Sequence, residues 1–122
     1  MAPAAAAAGA CRLPADRRQS DPARHELPEI DETALVVARA LDVALEAATE
    51  MENERWVAYL TSLPDRFRDD SLRELRASAR RARAAYGPKD SIRDALPEAA
   101  TEPLILAIDR LLKAIARFDM NR

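Results

Sequence analysis

An all-α fold is the reading this sequence favours: a small helical bundle of three main helices, the first long and the next two shorter, completed by dimerisation. Three observations lead there. Only two of the 122 residues are glycine, while 48% are apolar and 33% charged. Alanine (27 residues) and arginine (17) are abundant, whereas the β-branched and aromatic residues that suit strands are sparse. The apolar residues also recur at spacings of three and four rather than two. The length fits one domain, with little core to spare.

Residues 1–28 read as a disordered Ala/Pro-rich tail. They hold Pro3, Pro14, Pro22 and Pro28, an alanine run and almost no large apolar residue. The helical domain is expected over 29–119. Its first helix spans about 29–63, a stretch without proline or glycine. At 100° per residue Ile30, Ala34, Val37, Leu41, Leu45, Ala48, Tyr59 and Leu63 share one face, with Asp42, Glu46, Glu50 and Asn53 opposite. The acids of "PEIDE" favour a helix start through the dipole. Glu52 and Arg55 fall on the apolar face, so a break near 49–54 is the alternative to a continuous helix.

Pro64 is expected to end this helix, with "DRFRDD" (65–70) as a charged connection. The second helix covers about 71–86, capped by Asp70 or Ser71 and stopped by Gly87-Pro88. A short turn follows at about 90–96. The third helix covers about 101–119, with Thr101 as its cap and Pro103 in its first turn. Leu104, Ile108, Leu111, Ile115 and Phe118 give it the clearest core stripe in the chain. Leu106 points away, among Asp109, Arg110, Lys113 and Arg117.

Two features bear on function. The first is a second seam on the long helix, Val36, Ala40, Val43 and Ala47, spaced four, three and four and lying about 100° from the first face. A surface helix has no need of two apolar faces. This seam is therefore a candidate partner or dimer interface, with Trp56 and Tyr59 expected first as core residues and otherwise as aromatic anchors that join it. The second is "RELRASARRARAAYG" (73–87), with five arginines in eleven residues. Arg73, Arg76, Arg80 and Arg83 form a stripe beside the apolar Leu72, Leu75, Ala79, Ala82 and Tyr86. Residues 29–54 carry eight acids against one base, and residues 65–89 eight bases against four acids. The arginine stripe is therefore expected as a charge-matched edge facing the acidic long helix, guiding register more than adding stability.

The totals limit the other classes. A net charge of −2 argues against general nucleic-acid coating, where affinity comes from neutralising phosphates. One cysteine, Cys11, allows no intrachain disulfide, and with no export signal visible a cytoplasmic location is expected. No segment approaches the length of a membrane span, so no membrane partner is expected. The one histidine, His25, stands in the tail, and there is no helical Glu-x-x-His pair and no phosphate-binding glycine loop. No catalytic, cofactor-binding or metal-binding residue is assigned. The expected function is a non-enzymatic protein–protein interaction module, a small cytoplasmic accessory or regulatory protein that binds itself and another protein. The alternative is a nucleic-acid-associated regulator using the arginine face. A third reading is a small helical enzyme with an anion pocket built from Glu52, Arg55, Arg73 and Arg76.

Overall fold

The structure, a computed structural model of the chain, describes residues 22–87 and 91–121. Every regular element among these residues is helical. A 3-10 turn at Arg24–Glu26 leads into α1 (Pro28–Glu50), α2 (Glu54–Leu60), α3 (Leu63–Asp69), α4 (Leu72–Ala84), the single turn α5 (Ile92–Ala95) and α6 (Glu98–Met120). The predicted tail over 1–28 lies outside the described residues as far as residue 21.

Its last residues belong to the domain rather than to a tail. Arg24 reaches across the fold, donating from Nη1 to the Asp70 carbonyl (2.9 Å), from Nη2 to the Phe67 carbonyl (2.8 Å) and from Nε to Asp31 (3.0 Å). Its side chain is only 11% exposed. A planar guanidinium satisfies several acceptors at once, here the free carbonyls at the end of α3. Proline at the first position of α1 costs no hydrogen bond, and Glu29 and Asp31 complement its dipole.

The long first helix is not continuous. α1 stops at Glu50, where Glu52 takes a left-handed conformation with φ of 57°. The Asn53 N–H donates to the Ala48 carbonyl (2.9 Å) and the Glu52 N–H to the Thr49 carbonyl (3.0 Å). This is a Schellman stop, with glutamate where glycine is usual. Asn53 then caps α2, its side chain accepting from the Trp56 N–H. A second break falls at residues 61–62. Pro64 has no N–H to give the Leu60 carbonyl, so it interrupts the helix and stands instead in the first turn of α3. The expected charged connection is thus a helix, and it buries Phe67 completely. Two breaks divide the helix predicted over 29–63 into three pieces, and α2 and α3 both pack onto α1.

Ser71 starts α4 in a capping box with Glu74. The last helix begins at Glu98, three residues before the expected Thr101, with Pro97 as its N-cap. Thr101 is fully buried within it, and Pro103 lies in its second turn. Tyr86 holds this region, its hydroxyl donating to the Thr101 carbonyl at 2.6 Å.

The core lies along α1 and α6. Ile30, Ala34, Val37, Ala38, Leu41, Ala44 and Ala48 of α1 meet Leu104, Ala107, Ile108, Leu111, Ala114 and Ile115 of α6 in one buried cluster with Leu60, Phe67, Leu72 and Leu75. An ion pair between Glu29 and Arg117 joins the start of α1 to the end of α6, so the two run antiparallel. α1 is flanked by α6 and by α2 and α3, while α6 is flanked by α1 and α4. The described residues include no helix long and apolar enough to cross a membrane.

Two outcomes are expected in urea unfolding. Arg24→Ala should cost about 1.5–3 kcal/mol, since it leaves two carbonyls without a charged donor. Glu52→Gly should stabilise the fold by about 0.5–1 kcal/mol, because glycine relieves the left-handed strain at a cost in unfolded-chain entropy.

Candidate interaction surface

The second seam of α1 is uncovered in the single chain. Val36 is 36% and Val43 51% exposed, and Ala40 and Ala47 are half-buried between them. At 100° per residue these four share an arc of about 60° with Glu29. On α6, Leu106, Arg110, Lys113 and Arg117 occupy a similar arc of about 60°. Leu106 is 60% exposed, and the other three are exposed too. Glu29 and Arg117 pair across the two helices. With that pair as anchor, the wheel positions set the two stripes on adjoining sides of α1 and α6.

Leu106 completes an apolar strip that the sequence reading did not assign to the interface. It is a leucine on an otherwise charged face, and the Glu29–Arg117 pair sets that face on the side of α6 next to α1. Where Glu29 meets Arg117 the groove opens into a cleft of about 290 Å³ whose lining includes Leu27, Ile30, Ala114 and Phe118.

The aromatic pair expected as anchors belongs to the interior. Trp56 is 6% exposed, in edge-to-face contact with Tyr59 at 5.4 Å, and the Arg55 guanidinium lies over its ring at 5.3 Å. Tyr59 is half-buried and donates its hydroxyl to the Arg81 carbonyl at 3.1 Å. Both rings pack inward from α2, Trp56 within the buried cluster and Tyr59 against it.

The arginine stripe is divided. Arg76 pairs with Asp119, and Arg83 pairs with Asp109 at 3.0 Å, so two of its members face α6 rather than the acidic α1. Arg73 and Arg80 are exposed and make no ion pair among the described residues. The acids of α1 find other bases: Asp31 pairs with Arg24, Asp42 with Arg68 and Glu29 with Arg117. The expected match between the long acidic helix and the arginine helix is thus replaced by pairs of each with other elements, α6 among them.

The anion pocket is not assembled. Glu52 is exposed in the turn after α1, Arg55 stacks on Trp56, and Arg76 is engaged with Asp119. Arg55 and Arg73 line different clefts. The described residues contain no group of three or more His, Cys, Asp or Glu placed to hold a metal ion. The cysteine, Cys11, lies outside the described residues.

Comparison with known families, curated proteins and solved structures finds no match to this chain. The surface is accordingly interpreted from its own chemistry.

The tyrosines beside the arginine helix give a pH signature. Burial pushes the Tyr86 hydroxyl well above its ordinary value, although Arg93 and Arg83 lie over its ring. Burial raises Tyr59 as well, with Arg81 opposing. An unfolded chain loses these protons first, near pH ~10, so the stability they contribute is present below that pH and declines above it. Thermal melts at rising pH should show a falling Tm above about pH 10, smaller in Tyr86→Phe than in the parent. A Tm equally pH-dependent in both would contradict the assignment to Tyr86.

Proposed function

We propose that this protein is a non-enzymatic protein–protein interaction module, a small cytoplasmic accessory or regulatory protein that acts as a helical homodimer and binds a further protein. The observation that carries this reading is the apolar strip on the α1/α6 face: Val36, Val43 and Leu106 stay exposed while the interior beneath them is fully packed. Fully burying a side chain of this kind contributes about 1.5–3 kcal/mol. A two-fold interface uses each residue twice, so the strip can supply a useful part of the cost of association.

The chemistry of the strip supports binding rather than turnover. It offers aliphatic side chains and alanines between charged borders, a composition suited to helix–helix contact. The exposed Arg73 and Arg80 are the remaining support for the nucleic-acid alternative. That alternative is weaker because Asp119 and Asp109 already engage Arg76 and Arg83.

Light scattering on the full chain tests the reading. The parent should show about twice its 13.5 kDa mass, and the double variant Val36→Glu, Val43→Glu should fall to the single-chain mass with its helical content intact. A parent that stays at the single-chain mass at every concentration would overturn the homodimer.

A further inference from the structure

We infer that the partner of the α1/α6 face is a second copy packed with its α6 on α1, the two-fold axis running along the helices. The inference rests on the homodimer reading above and adds its geometry. Two observations select this arrangement, one of charge and one of register.

The two ridges of the face differ in sign. On the outward side of α1, Glu32, Glu46 and Glu50 are exposed and in no ion pair among the described residues, against the single base Arg39. The outward side of α6 carries Arg110, Lys113 and Arg117, and the acids beside them, Glu102 and Asp109, are already paired with Arg93 and Arg83. Two copies can meet face to face in two simple ways. A two-fold axis across the helices sets α1 on α1 and α6 on α6, with like charges opposed in both layers. An axis along the helices sets each α1 on the partner's α6, acid against base, and every neighbouring pair in the four-helix layer is antiparallel. Like-charge juxtaposition is penalised across an interface, so the second arrangement is selected.

The register agrees with it. The Glu29–Arg117 pair fixes the two helices relative to each other within one chain. Counting from it at about 1.5 Å per residue in opposite directions brings Leu106 level with Ala40 and Lys113 beside Glu32. An axis along the helices preserves these levels between copies. The Leu106 side chain of one copy then meets Val36, Ala40 and Val43 of the other, spaced four and three, as a knob meets a hole with alanine at its floor. Lys113 meets Glu32. The area suffices as well: two helices of 23 residues side by side present a face about 34 Å long and about 20 Å wide. Buried from both copies, that face falls within the roughly 1,200–2,000 Å² typical of stable complexes.

Cross-linking decides the geometry. In a Cys11→Ser background, chains carrying Ala40→Cys are mixed with chains carrying Leu106→Cys and oxidised, with each variant also oxidised alone. Mass is measured in parallel by light scattering. A disulfide requires Cα atoms within about 7 Å, so it reports which helices face each other. The expected result is a dimer that cross-links in the mixture and not in either variant alone. A dimer in which Ala40→Cys cross-links to itself, or in which the mixture gives no cross-link, overturns this geometry and leaves the homodimer standing. A chain that is monomeric throughout overturns both.

Discussion

The close antiparallel packing of α1 on α6 is the constraint on which the other contacts depend. Alanines at 34, 44, 107 and 114 lie in the buried cluster with Leu41, Ile108 and Leu111. Small residues let two helices approach closely, and the larger side chains then interdigitate to interior density. Once this pair forms, each helix has one buried side and two flanks. α2 and α3 cover one flank of α1, and α4 covers the far flank of α6. The opposite side of the pair is left facing outward with Val36, Val43 and Leu106 upon it.

Charge follows this arrangement. Exposed ion pairs contribute about 0–1 kcal/mol each, too little to hold the domain together. They are consistent with one register only. Arg117 with Glu29 ties α6 to α1, Arg76 with Asp119 and Arg83 with Asp109 tie α4 to α6, and Arg68 with Asp42 ties α3 to α1. α6 is nearly neutral by composition, yet its acids at 109 and 119 face α4 while its bases at 110, 113 and 117 face outward. Net charge over a segment conceals a helix with two oppositely charged sides. For that reason the acidic first helix and the arginine helix looked complementary in sequence and yet pair mainly with other elements.

Much of the fold was legible from periodicity. The buried stripe of α1 and the stripe Leu104, Ile108, Leu111 and Ile115 follow from three- and four-residue spacing, and Ser71 was one of two cap candidates, with Asp70, because either side chain can satisfy a free N–H. The seam of Val36, Ala40, Val43 and Ala47 was visible for the same reason, since periodicity on a continuous helix fixes which residues share a face. The anchor reading of Trp56 and Tyr59 rested on aromatic side chains near a charged connection, whereas the wheel that set Tyr59 on the core face agrees with its packing against the buried cluster. A glutamate in a left-handed conformation has no local sequence signal comparable to glycine, so the Schellman stop after α1 showed in the sequence only through charged residues, Glu52 and Arg55, on the apolar face.

The sequence by itself determined that this chain is helical, where most of its apolar faces lie and that one helix carries an apolar seam beyond the core's need. These are local properties, set by backbone propensity and by the 3.6-residue turn. Only the tertiary structure decided that Leu106 joins that seam, that Arg24 closes the end of α3 and that the arginines of α4 are matched by α6. Those depend on contacts between residues as much as 88 positions apart, as in the pair of Glu29 with Arg117, and no local pattern encodes which distant helix will stand alongside.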